Sequence, residues 1–268
     1  MLYSFSSKKG PRETNEDRHT IVINCDGKNG QQSPVNFFGL YDGHAGTVVS
    51  NYLAKNLYKK FTHKLMRFPL DKKYVDKAFN DIQNNLWKIP NNISGSTSLF
   101  MIEYETNVDK GINIVNLGDC RAVLCRGFIA VPLTRDHKPV SNPVELNRIK
   151  KLDGLPVNDQ GIWRINGLSV SRAFGDFDAT PHVTHLPEVF KYKLTNHDKF
   201  VILGCDGVWD VLSNEEAVNI VLKRCYNNLN TLNSNYVHAA KYISDRAYKK
   251  NTMDNVSIIV VFFEQTIE

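Results

Sequence analysis

The sequence predicts an α+β protein in which two antiparallel β-sheets pack face to face with helices on the outside. Its strand-like segments are short, rich in β-branched and aromatic residues, and more numerous than its helical ones. Several consecutive ones are joined by tight turns, the connection that antiparallel neighbours use. The segments also do not alternate strand, helix, strand as a parallel doubly wound sheet requires.

Taken along the chain, strands are expected over Thr20 to Asn24 and Val35 to Leu40. A helix follows Gly46, because Val48, Val49, Tyr52, Leu53, Leu57 and Phe61 recur at helical spacing. A second opens at Pro69-Leu70-Asp71 and carries Val75, Phe79, Ile82 and Leu86 on one face. Strands resume over Ser98 to Glu103, Ile112 to Leu117 and Arg121 to Arg126. A short helix is expected over Val144 to Leu152, inside a segment from Asn142 to Asp159 that reads as a mobile flap. Phe200 to Gly204 is the next strand. Ser213-Asn214-Glu215-Glu216 caps a helix through Val218, Val221 and Cys225. Residues 228–236 read as a polar loop, Val237 to Tyr248 as a helix and Val256 to Phe263 as a final strand.

The chain has 268 residues, 42% hydrophobic and 23% charged, which is ordinary globular composition and excludes wholesale disorder. The net charge of +5 is scattered over separate basic pairs, too thin to imply nucleic acid. Five cysteines without a C-x-x-C pair argue against a disulfide framework or a zinc ribbon and fit a reducing compartment. No signal peptide, myristoylation site or membrane-length apolar stretch is evident. The expectation is a cytoplasmic or nuclear monomer that binds neither membrane nor nucleic acid.

The informative feature is where the acidic residues fall. Val35–Tyr41 runs into Asp42-Gly43-His44, Val201–Cys205 into Asp206-Gly207, and Ile112–Leu117 into Gly118-Asp119. Glu16 and Asp17 lie near the N-terminus, and Asp254 precedes the last strand. Asp-Gly after a strand is by itself most often a turn. Carboxylates converging at strand tips, however, repel one another unless a cation sits among them. With no His pair or Cys cluster at ligand spacing, the oxygen-rich set favours Mg²⁺ or Mn²⁺ over zinc.

Eight blocks in order resemble the metal-dependent protein phosphatases of the type 2C class. They are Arg12 with Asn15-Glu16-Asp17-Arg18, Tyr41-Asp42-Gly43-His44-Ala45-Gly46, Ser94-Gly95-Ser96-Thr97 and Asn116-Leu117-Gly118-Asp119-Cys120-Arg121-Ala122. Leu133-Thr134-Arg135-Asp136-His137-Lys138-Pro139, the run Leu168 to Asp176, Cys205-Asp206-Gly207-Val208-Trp209-Asp210 and Asp254-Asn255-Val256 complete them. The resemblance implies a four-layer α-β-β-α sandwich, one catalytic domain over residues 1–268, and hydrolysis of phosphoserine and phosphothreonine in phosphoprotein substrates by a metal-activated water.

It also implies roles. Asp42 bridges two metals, and Asp206 and Asp254 complete the shell of the first. The Gly43 carbonyl binds the second, with Glu16 and Asp17 acting on it through water. Asp119 with Asp206 forms a weaker third site. Arg12 holds the phosphate, for which a guanidinium fork is suited, and His44 protonates the leaving alcohol. Cys120 departs from the family's serine, and the segment between Arg164 and Arg172 is one residue short. Trp163, where some plant members place a receptor-contacting tryptophan, reads here as a packing residue. The alternative is a pseudophosphatase, a binding module on the same fold; it is expected to have lost metal ligands, and all the matching carboxylates are present.

Overall fold

The structure, a computed structural model, describes residues 1–25, 35–63, 65–106, 110–228 and 231–263. Its main strands are β1 (Leu2–Lys8), β2 (Arg18–Cys25), β3 (Val35–Tyr41), β4 (Ser98–Glu105), β5 (Lys110–Leu117), β6 (Arg121–Arg126), β7 (Ile129–Pro132), β8 (Glu188–Lys193), β9 (Asp198–Gly204) and β10 (Val256–Phe262). Its helices are α1 (Val48–Asn56), α2 (Lys72–Trp87), α3 (Pro143–Lys150), α4 (Asn214–Cys225) and α5 (Ala239–Lys249).

One sheet has the order β1-β10-β9-β6-β7 and the other β8-β5-β4-β3-β2. Every pairing in both is antiparallel. Strand alternation sorts the side chains into layers. On β3, Phe37 and Tyr41 pack with Val49, Leu53, Phe79 and Leu86 of α1 and α2. Phe38 and Leu40 face the opposite way, into the cluster that joins the two sheets and continues to α4 and α5. The layers therefore run helix, sheet, sheet, helix, as expected.

Two helices, α2 and α4, begin where their caps predict. The Asp71 side chain accepts from the Tyr74 N–H at 3.1 Å. Ser213 and Glu216 form a reciprocal capping box at the start of α4. The expected helix over residues 48–61 is shorter: α1 ends at Asn56 and a 3₁₀ turn over Tyr58–Lys60 carries the apolar stripe on to Phe61.

Three of the main strands escaped prediction: β1, β7 and β8. Each is the edge of its sheet or pairs there, and edge strands bury too little to show a continuous apolar run. The expected flap from Asn142 to Asp159 contains α3, tied down by the buried Glu145 and Ile149. It continues into a hairpin pairing Val157–Asp159 with Ile162–Arg164. Trp163 on that hairpin is 45% exposed, so it is not a packing residue. The shortened segment after it turns tightly through Asn166 and Gly167, both at positive φ, closed by hydrogen bonds between Ile165 and Leu168. Residues 231–236 hold a two-residue strand and the start of a 3₁₀ turn rather than a plain loop; residues 229–230 of that expectation lie outside the described residues. No helix among the described residues is long and apolar enough to cross a membrane.

Candidate active site

The strand ends converge at one edge of the sandwich. A cleft of about 430 Å³ opens there, lined by Arg12, Glu16, Asp42, Gly43, His44, Asp119, Asp206 and Asp254. Of the nine residues singled out in the sequence, only Asp17 does not line it; Asp17 lies beneath, 4% exposed. Two sets of ligand atoms lie within 4.8 Å of one another: Asp42 with Asp119 and Asp206, and Asp42 with Asp17 and Cys205. Asp42 belongs to both sets. Asp254 lines the cleft but stands outside both.

Local structure explains the convergence. β3 is buried throughout, so Asp42 at its end is held by rigid backbone. Its N–H donates to Thr97 Oγ1 (3.2 Å), and its carbonyl accepts from the Thr97 N–H (2.9 Å). Gly43–His44 then pairs with Gly95–Ser96, which pairs with Phe174–Gly175. Gly95 is required there: a Cβ would lie 2.2 Å from His44 Nε2 and 2.1 Å from Asp176 Oδ2. Asp206 opens the helical turn Asp206–Trp209, directly after β9.

The electrostatics are those of crowded carboxylates. Burial first, then the charges of Asp206, Asp17, Asp119 and Asp254, push the Asp42 carboxyl well above its ordinary range. Burial and Asp119 do the same to Asp206, partly opposed by Lys138. Burial, with Asp254 adding to it, raises Asp17 to about 6. Ser257, Cys205 and Asp42 adjoin Asp17 and moderate that rise. Yet neither of its carboxylate oxygens has a hydrogen bond of good geometry. Two cations offset the cluster. Lys138 Nζ lies 2.7 Å from Asp119 Oδ2. Arg12 Nη2 donates to Asp254 Oδ2 at 2.7 Å, and Arg12 Nε to the Met253 carbonyl at 3.0 Å.

His44 Nε2 lies 2.8–2.9 Å from both oxygens of Asp176. Burial alone would lower the His44 pKa; the hydrogen bond and charge of Asp176, with Asp119 and Glu16, outweigh it and hold the pKa above the ordinary value. The ring is thereby biased towards carrying a proton. Glu16 Oε1 accepts from the Gly46 N–H at 3.1 Å. The loop bearing Arg12 and Glu16 is clamped by Asn255, whose Oδ1 accepts from the Glu16 N–H (2.9 Å) and whose Nδ2 donates to the carbonyls of Lys9 (2.7 Å) and Thr14 (2.9 Å).

In the sequence Asp176, Lys138 and Asn255 stand only within motif blocks, with no role of their own. Asp176 carries a signal that could have marked it, since it is an acidic residue directly after Phe174-Gly175 at the end of a matched block. Lys138 and Asn255 carry no local sign of what they meet. Cys205 has no nearby cysteine in sequence to mark it as a ligand.

The chain matches the family model described as Protein phosphatase 2C over residues 1–256. A PP2C-like domain-containing protein of Acanthamoeba polyphaga mimivirus is 43% identical over 175 residues, covering 58% of this chain and 96% of that protein. Protein phosphatase 1B of Rattus norvegicus is 33% identical over 297 aligned residues, covering 98% of this chain and 70% of that one. The crystal structure of a phosphatase from Toxoplasma gondii superposes with a TM-score of 0.79 at 23% identity, covering 98% of this chain and 93% of the other, a likeness of fold. Model match, relatives and architecture agree, and the chain is a protein phosphatase belonging to the protein phosphatase 2C family.

Proposed function

We propose that the cleft hydrolyses phosphoserine and phosphothreonine in protein substrates with the help of Mg²⁺ or Mn²⁺, within one catalytic domain over residues 1–268. The observation that carries this reading is the crowding of Asp17, Asp42, Asp119, Asp206 and Asp254 around one cleft, with Asp42 and Asp206 held far from their ordinary titration. Lys138 and Arg12 are too few to balance five carboxylates. The donor set at the cleft mouth is oxygen, and Asp17 presents two buried oxygens without well-formed hydrogen bonds, which suits hard divalent cations.

In this reading Asp42, Asp206 and Asp254 would hold one cation, and Asp42 with the Gly43 carbonyl, backed by Glu16 and Asp17, would hold another. Asp119 with Asp206 forms a third, weaker position, where Lys138 supplies the positive charge meanwhile. Cations bound there neutralise phosphate charge and acidify water. The residues do the rest. Arg12, at the cleft mouth, turns its guanidinium from Asp254 to phosphate oxygens. His44, kept protonated by Asp176, gives its proton to the departing serine or threonine oxygen. Phosphoryl transfer demands positioning and charge neutralisation more than covalent help, and this site is built from both.

The test is phosphate release from a phosphothreonine peptide by the purified protein, with Mn²⁺ or Mg²⁺ and after exhaustive chelation. Activity is expected only with the cation. Full turnover after chelation overturns the metal assignment. Absence of turnover under every condition favours the pseudophosphatase.

A further inference from the structure

We propose that Cys205 is the third ligand, with Asp17 and Asp42, of a site for a thiophilic divalent cation such as Zn²⁺ or Cd²⁺ at the buried end of the acidic cleft. The inference rests on the acidic cluster being a metal centre. It adds a ligand and a class of metal that an all-oxygen reading does not contain.

The geometry comes first. Cys205 Sγ and one oxygen each of Asp17 and Asp42 lie within 4.8 Å of one another. Asp17 is buried, and both of its oxygens lack well-formed hydrogen bonds, so a group that wants a partner faces the sulfur. Cys205 is 1% exposed and fixed at the junction of β9 and the Asp206–Trp209 turn. Its backbone N–H donates to the Ser257 carbonyl at 3.1 Å. A ligand held this firmly needs little reorganisation to bind.

Burial and the charges of Asp17 and Asp42 push the Cys205 thiol well above its ordinary pKa, so its proton leaves only when a cation takes its place. The Ser257 N–H donates to Sγ at 3.2 Å, and the Cys205 thiol donates to the Asn255 carbonyl at 3.4 Å. Coordination releases the thiol proton to solvent. The bond to Asn255 is then given up, and the Ser257 N–H remains aimed at the thiolate.

Donor chemistry sets the metal class. A thiolate adds affinity for Zn²⁺ or Cd²⁺ and little for Mg²⁺, which takes oxygen. Because Asp42 is common to both sets, a thiophilic ion here competes with the hard cations for that carboxylate. Cys120, the other buried thiol nearby, contacts Thr97 Oγ1 at 3.2 Å and belongs to neither close set, so it serves as an internal control.

The experiment is X-ray absorption on the full, unmodified chain with one equivalent of Zn²⁺, together with Co²⁺ titration followed by the thiolate-to-metal charge-transfer band. One sulfur at about 2.3 Å beside oxygen neighbours is expected. The charge-transfer band should be lost in Cys205→Ser and kept in Cys120→Ser. Zn²⁺ affinity should fall in Cys205→Ser by more than the roughly 10–100-fold that losing a ligand's hydrogen-bond support costs, while Mn²⁺ affinity, read by electron paramagnetic resonance, is retained. An all-oxygen shell in the unmodified chain overturns the proposal whether or not the variant folds, and so does a band that survives Cys205→Ser. Failure of Mn²⁺ itself to bind would instead overturn the metal-centre reading on which this one stands.

Discussion

Replacing Glu145 by Gln tests the electrostatic anchor of α3. The Glu145 side chain is fully buried, Arg172 Nη2 donates to its Oε1 at 2.5 Å, and Ser171 Oγ (2.7 Å) and Arg148 Nη2 (3.0 Å) donate to its Oε2. Burial alone would raise the carboxyl pKa; Arg172, Ser171 and Arg148 outweigh it and hold it at about 2 against an ordinary 4.5. Converted to free energy and discounted for solvent at the rim, that depression is worth about 2–3 kcal/mol. The glutamine also leaves two guanidiniums without their counter-charge, and breaking a buried pair typically costs about 3–5 kcal/mol. A loss near 3 kcal/mol at pH 7 is therefore expected. The sign with pH follows from linkage: a depressed carboxyl pKa contributes fully above the unfolded value near 4.5 and is lost as pH falls towards 2. The gap between native and Glu145→Gln proteins should hold from pH 7 to about pH 5 and shrink below. Urea unfolding followed by tryptophan fluorescence at several pH values measures it. A gap under about 1 kcal/mol at pH 7, or one unchanged on acidification, would refute the reasoning.

His44→Gln should lower kcat about 10²–10⁴-fold on phosphothreonine peptides and much less on an aryl phosphate whose phenol leaves as the anion. Asp176→Asn should follow the same pattern more weakly and shift the alkaline limb of the pH–rate profile to lower pH, because a general acid fails once it deprotonates and Asp176 is what chiefly raises the His44 pKa; equal losses on both substrates would mean that His44 orders the site instead. Arg12→Ala should raise KM for phosphopeptides, with Lys restoring it only in part for want of the planar fork, as steady-state kinetics will show. Asp206→Asn should abolish turnover yet raise the Tm of the cation-free protein, since it removes a buried charge that its neighbours oppose; a Tm below that of the native chain in chelator would contradict the crowding argument.

Local pattern determined a good deal by itself. An apolar run ending at an Asp beside a Gly announces a buried strand with a carboxylate at its tip, so Asp42, Asp119 and Asp206 are legible in the sequence alone. Caps at Asp71 and Ser213 announced α2 and α4, because capping satisfies backbone groups within a few residues. These signals survive in one dimension because burial period and backbone satisfaction are short-range requirements. Of the edge strands only β2 left such a mark; β1, β7 and β8 did not, since half-solvated positions accept polar residues. Pairings across the sandwich left none either. Whether Asp176 meets His44, Lys138 meets Asp119 or Arg12 meets Asp254 depends on sheet order and register, which join residues as much as 242 positions apart. Cys205 is the sharpest case. In sequence it is a lone cysteine beside an aspartate; in the folded chain β9 and β10 set it against Asp17, and only that packing turns a buried thiol into a metal ligand.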